Sequence, residues 1–198
     1  MANRHTDIVL YDTTLRDGMQ REGMSVSVEE KIRIARRLAS LGIHIIEGGF
    51  PGSNPKDAEF FARMADVDMG ETRISAFGTT RARGITPDED PVLRVLADSW
   101  APISCIVGKT WALHIEKVLR VDRGENLRMI ADSVRFLRAA GKQVVYDAEH
   151  FFDAYAEHPD YARECALAAA EAGASTVVLC DTNGATLPLR VGEIVAEM

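Results

Sequence analysis

The sequence predicts an α/β fold built on a parallel sheet, and three observations carry that expectation. Short, β-branched, nearly continuous apolar runs recur at residues 8–11, 43–46, 73–77, 103–107, 144–146 and 176–180, as suits strands covered on both faces. Longer amphipathic stretches at helical spacing lie between them. The alternation is regular, so the chain reads as a βα unit six times over, with right-handed crossovers.

Taken in order, the first helix is expected over residues 28–41, where Ile32, Ile34, Ala35, Leu38 and Leu41 share a face opposite charges. Pro55 suits the first turn of the next helix, as Pro159 does later. Residues 125–140 repeat the amphipathic pattern through Leu127, Ile130, Val134 and Leu137, and residues 161–172 are alanine-rich. Gly42, Gly141 and Gly173 each follow a helix, where a left-handed residue is wanted. The sixth helix starts near Pro188. Irregular stretches are expected at 19–28, 78–90 and 108–124, all after strands. No linker or low-complexity segment interrupts the pattern, so residues 1–198 read as one domain.

Composition narrows the class. The 198 residues are 46% hydrophobic and 27% charged, with a formal net charge of −7, as in globular proteins. An acidic chain without a basic stripe argues against nucleic acid as a partner. The start, MANRHTD, has no apolar signal core, and no apolar run approaches membrane-spanning length. The expected compartment is the cytosol, without membrane attachment. Cys105, Cys165 and Cys180 show neither zinc-ligand spacing nor a disulfide framework, and read as buried thiols.

Two architectures compete, an open doubly wound sheet and a (β/α)8 barrel. The dinucleotide fingerprint G-x-G-x-x-G is missing after the first strand. The strand exits are rich in polar groups, which a barrel would gather on one face. A TIM barrel is therefore expected, with about its first six βα units present.

Four exits carry the candidate chemistry. After the first strand, DTTLRDGMQ groups Arg16, Asp17 and Gln20. Asp17 could bind a divalent cation and Arg16 an enolate or carbonyl oxygen; a solvated turn with an Arg–Asp pair is equally allowed. Glu47, in EGGFPGSN, should lie at the sheet's rim, partly buried and therefore paired. Its glycines either admit a ligand or supply unusual dihedrals. After the fifth strand, YDAEHFFD is dense in ionisable groups, and Asp147 and Glu149 would share one side if the strand continued. Paired carboxylates with a histidine suit acid–base work, although His150 could merely cap a helix. Thr182 and Asn183, in CDTNG, could donate to a carboxylate or simply form a turn. His5, His44, His114 and His158 offer no ligand spacing and read as structural or surface residues.

The segments DTTLRDGMQ, IEGGFPGSNPKD, SAFGTTR, GKTWALH, YDAEHFFD and VLCDTNGATLP, in this order over roughly residues 7–188, resemble the DRE-TIM metallolyases. Within that superfamily they are similar to the branch of citramalate and 2-isopropylmalate synthases. The resemblance implies the N-terminal portion of a catalytic barrel, without its seventh and eighth units and C-terminal regulatory domain. It implies an acyltransferase that condenses acetyl-CoA with a 2-oxo acid, pyruvate before 2-oxoisovalerate, in branched-chain amino-acid biosynthesis. A divalent ion (Mg, Mn or Zn) is the implied cofactor and a homodimer the implied assembly. Asp17 corresponds to a metal ligand and Arg16 to the group that stabilises the enolate oxygen. Gln20 and Glu47 fall at substrate-site or supporting positions. Glu149 corresponds to an acid–base residue, Thr182 to a carboxylate-binding one, and Tyr146 to the pocket wall. The family's H-x-H metal pair occurs nowhere in the sequence. The 198-residue chain alone is therefore expected to bind metal poorly and not to turn over. An HMG-CoA-lyase-like enzyme and a non-catalytic truncated barrel are the alternatives.

Overall fold

A computed structural model describes residues 8–198; His5 lies outside them. Six strands are hydrogen-bonded in chain order, β1-β2-β3-β4-β5-β6, and the pairings β1–β2, β2–β3, β4–β5 and β5–β6 are parallel. The chain forms two compact units, one running to Phe77 and including Trp100–Pro102, the other comprising Gly78–Ser99 and Ile103–Met198.

In the first unit, β1 is Tyr11–Asp12, and a 3-10 turn follows at Asp17–Gln20. Helix α1 spans Val28–Ser40, β2 Ile45–Gly49 and α2 Pro55–Met64. Strand β3, Arg73–Thr79, runs on into the second unit. Helix α1 begins at a reciprocal cap: Ser27 Oγ accepts from the Glu30 amide, and the Glu30 carboxylate accepts from the Ser27 amide at 2.7 Å. It ends before Gly42 at φ +82. Helix α2 starts at Asn54, whose side chain accepts from the Asp57 amide at 2.8 Å, with Pro55 in its first turn. It buries Phe60, Phe61 and Met64.

Strand β1 is shorter than the expected run, and Ile8, Val9 and Leu10 are exposed. The reason is local. The Leu10 amide donates to His44 Nδ1 at 2.9 Å, while its carbonyl accepts from the His44 and Ile45 amides. A ring nitrogen thus stands where a ladder carbonyl would. His44 is structural, as expected.

The second unit holds α3 (Pro91–Asp98), β4 (Ile103–Lys109), α4 (Ala112–His114), α5 (Arg123–Ala139) and β5 (Gln143–Glu149). After them come α6 (Phe151–Glu157), α7 (Pro159–Glu171), β6 (Thr176–Leu179) and α8 (Pro188–Glu197). Residues 108–124, expected to be irregular, contain α4 and a π-turn at Ile115–Leu119, closed by Arg120 at φ 57. Strand β5 continues to Glu149, three residues past its apolar run. It does so because β4 lies alongside in unbroken register, from Ile103 against Gln143 to Lys109 against Glu149. The second unit's core gathers Leu93, Leu96, Ile103, Ile106, Ile130, Val134, Leu137 and Tyr146, all without exposed surface. Cys105 and Cys165 are buried as expected, but Cys180 is only half-buried. Burial pushes the Cys165 thiol up to about 12, so it stays a protonated apolar filler.

Candidate active site

The first unit builds a charged group from the segment after β1. The Thr13 carbonyl accepts from the amides of Arg16, Asp17 and Gly18 at 3.1, 2.8 and 3.2 Å. That curl turns Arg16 toward the sheet. Its Nε donates to Glu47 Oε1, its Nη1 lies 3.1 Å from Asp17 Oδ1, and its guanidinium stacks 4.0 Å from the Phe77 ring centroid. The Tyr11 hydroxyl donates to Glu47 Oε2 at 2.6 Å and lies 3.0 Å from Ser75 Oγ.

Glu47 was expected at the sheet's rim and partly buried; it lies within β2, with no exposed surface. Arg16 and Tyr11 engage one carboxylate oxygen each. Glu47 therefore acts by fixing Arg16, since its oxygens face protein groups.

The glycines after it also have structural duties. A Cβ on Gly48 would come within 2.6 Å of the Phe60 ring, and one on Gly49, at φ +135, within 2.7 Å of the Asp57 carboxylate. Of the two roles open to them, these two glycines serve close helix packing and unusual dihedrals. Asp57 in turn accepts from Lys31 Nζ at 2.6 Å and from the Phe50 amide at 2.9 Å.

Gln20 lines a cleft of about 650 Å³ with Arg16, Met24, Phe50, Lys56 and Phe77. Asp17 is 62% exposed and paired with Arg16. Among the described residues it belongs to no cluster of three or more metal-binding side chains. A divalent cation wants several oxygen ligands, and this lone carboxylate does not constitute such a site.

The second unit builds another group at the ends of β4 and β5. Lys109 and Glu149 are register partners, and Lys109 Nζ donates to Glu149 Oε2. His114 Nδ1 lies 3.9 Å from the same oxygen. His150, next in sequence, adopts a left-handed backbone at φ 55. Its amide donates to Thr182 Oγ1 at 2.9 Å, and its Nδ1 lies 2.9 Å from Asp153 Oδ2. Asn183 Nδ2 donates to the same Asp153 oxygen at 3.1 Å. The two imidazoles meet edge to face at 4.7 Å, and Trp111 packs against both, at 5.2 and 5.4 Å. Burial first, then the charges of His150 and Lys109, lower the pKa of His114.

The structure thus brings Arg16, Asp17 and Glu47 together, and separately Glu149, His150 and Thr182. It does not bring Tyr146 to Glu149. Side chains alternate along β5, so Tyr146 projects from the face opposite Asp147 and Glu149. It is fully buried, its ring filling the space where a Gly108 Cβ would lie within 2.6 Å. Burial raises its phenol well above the usual range. Tyr146 supports the strand from behind, a correction to its expected place on a pocket wall.

His114, Lys109 and Trp111 were missed as site residues; His114 reads from sequence as structural. The available signal was GKTWALH directly following an apolar strand. Its pairing with Glu149, about forty residues later, is visible only through strand register.

A family model described as HMGL-like matches residues 7–198. The (R)-citramalate synthase of Geobacter sulfurreducens is 49% identical over 191 residues, covering 96% of this chain and 36% of the relative. That of Synechocystis sp. is 46% identical over 198 residues, covering 100% and 36%. The 2-isopropylmalate synthase of Synechococcus sp. (strain CC9605) is 34% identical over 201 residues, covering 99% and 35%. The chain therefore spans about a third of the length of these relatives. Among solved structures, the HMG-CoA lyase of Bacillus subtilis superposes with a TM-score of 0.77 at 18% identity, covering 96% of this chain and 63% of that one. The hydroxymethylglutaryl-CoA lyase of Pseudomonas aeruginosa gives 0.75 at 17%, covering 96% and 62%. At those identities the likeness establishes the α/β-barrel fold, in its first six βα units, and nothing about activity.

Proposed function

The chain belongs to the HMGL-like family, and on that premise we propose that it serves a condensing acyltransferase joining acetyl-CoA to a small 2-oxo acid. The observation that carries this reading is the Arg16 guanidinium held by buried Glu47 and stacked on Phe77. A cation fixed before substrate arrives costs no reorganisation when negative charge develops on an enolate oxygen. Arg16 is that cation, and Glu47 sets its direction.

In the condensation, a base takes a methyl proton from acetyl-CoA, and the new carbanion forms a carbon–carbon bond to the keto carbon of the oxo acid as the carbonyl π pair passes to the keto oxygen, which takes up a proton and becomes the hydroxyl. Water then cleaves the thioester and releases the CoA thiol. Glu149 moves the methyl proton, its charge held by Lys109. Thr182 accepts from the His150 amide, which leaves its hydroxyl proton to donate to the oxo acid's carboxylate. Gln20 faces the cleft beside Arg16 and contacts the substrate's polar end. Asp17 is the proposed ligand of a divalent ion that would need further ligands to be held, and no step is routed through that ion.

Pyruvate is the proposed oxo acid, on the higher identity to relatives named citramalate synthase than to 2-isopropylmalate synthase. The proposal extends to a role in branched-chain amino-acid biosynthesis in the cytosol, as a homodimer. The lyase alternative rests on fold likeness at 18% identity, and fold does not imply function. A thiol-release assay on the full-length protein with acetyl-CoA and each oxo acid tests the reading. Release is expected with pyruvate foremost; preference for 2-oxoisovalerate would make it an isopropylmalate synthase, and no release with any oxo acid would sink the proposal. The 198-residue chain by itself is expected to show no turnover.

A further inference from the structure

We propose that His114, Glu149 and His150 form a binding site for a divalent transition-metal ion of the zinc and nickel class, built from residues other than Asp17. One ligand atom from each of the three lies within 4.8 Å of the others. Two imidazoles and one carboxylate suit borderline ions rather than magnesium or calcium.

The surroundings point the same way. Asp153 Oδ2 lies 2.9 Å from His150 Nδ1; with the ring proton on that nitrogen, Nε2 keeps its lone pair for an ion. Asn183 fixes that carboxylate by a second hydrogen bond at 3.1 Å. A histidine oriented by a carboxylate behind it is the usual support for a metal-ligating imidazole. His114 Nδ1 is buried and makes no hydrogen bond, so it is placed to accept an ion as its partner.

Two features oppose occupancy and set its cost. Ligand bonds of about 2.0–2.1 Å place tetrahedral ligand atoms roughly 3.3–3.4 Å apart, so the three side chains must close inward. Lys109 Nζ also sits on Glu149 Oε2 and must leave it. The ion and Lys109 therefore compete for one oxygen. If Glu149 carries the proton in the condensation, as proposed above, the bound ion also removes it from catalysis.

The sequence has two tryptophans, Trp100 and Trp111, and Trp111 packs against both imidazoles. In an untagged Trp100→Phe background, Trp111 emission reports Ni2+ binding, and Zn2+ is read by competition. The expected result is saturable quenching by one ion per chain. Affinity should fall at least about tenfold in His114→Ala and in His150→Ala. Asp153→Asn should cost about 10–100-fold, as loss of such a supporting group does. Lys109→Met should tighten binding, a gain that misfolding cannot mimic, and Asp17→Asn should leave it unchanged. Absence of saturable quenching overturns the site. So does Ni2+ binding that persists unchanged in a folded His114→Ala/His150→Ala double variant, with folding checked by far-UV circular dichroism. These readouts involve no turnover, so they stand or fall independently of the condensing activity.

Discussion

Arg16, the proposed enolate-stabilising cation, is also a structural necessity. It neutralises a carboxylate with no exposed surface. Removing one member of a buried pair leaves an uncompensated charge and costs about 3–5 kcal/mol. Arg16→Met is therefore expected to lower the urea midpoint by an amount near the lower end, since Tyr11 still donates to Glu47. Arg16→Lys should recover part of the stability but little activity, because an ammonium lacks the planar fork that reaches Glu47 and Asp17 together. Equal urea midpoints for wild type and Arg16→Met would contradict the buried pair. His114 makes a second prediction at this scale. Its pKa is lowered from 6.5 in the folded protein, so below about pH 6.5 the unfolded chain binds a proton that the folded one resists. Its contribution to stability is full above pH 6.5 and lost as pH falls toward the folded value. Denaturation midpoints measured between pH 5 and 8 should show this slope, and His114→Gln should flatten it.

Elements were legible where a cap or a periodic face specified them, and less so where a neighbour did. Helix α1 begins at Val28 and stops before Gly42, as its periodic face and that glycine predict. The extension of β5 to Glu149 was not readable, because polar residues there are held by the register with β4. The two glycine types separate the same effects. Gly42 has φ +82, and a Cβ added there would meet nothing within 4 Å. Gly42→Ala should cost only backbone strain, about 1–2 kcal/mol. Gly48→Ala would force a methyl against the Phe60 and Phe61 rings at 2.6 and 3.2 Å, and overpacking of that kind costs about 1–3 kcal/mol. Thermal melts should show that repacking Phe60 to Leu relieves the Gly48→Ala defect and leaves the Gly42→Ala defect untouched.

For the whole molecule, the ends of the sheet matter most. Ile8, Val9 and Leu10 beside β1 are exposed, as are Val178 in β6 and Leu187 and Leu189 at the start of α8. An apolar sheet edge is a template for association. The 198-residue chain is expected to self-associate with rising concentration in sedimentation velocity. Leu187→Glu with Leu189→Glu should reduce that association. A monomer at all concentrations would show that these surfaces are innocuous.

The sequence by itself determined the class of fold, the six βα units and the family, because strand runs, caps and the charged segments at strand exits are local patterns. It also marked Arg16, Asp17, Glu47 and Glu149 as site candidates. Only the tertiary structure decided where each one sits and what it pairs with. Glu47 turned out to be fully buried under Arg16, and Tyr146 to lie behind its strand. His114, dismissed for want of a nearby partner in sequence, lies beside Glu149 and His150. The physical reason is the same in each case. Burial and pairing across strands depend on register, and register joins residues that are thirty to forty positions apart in the chain.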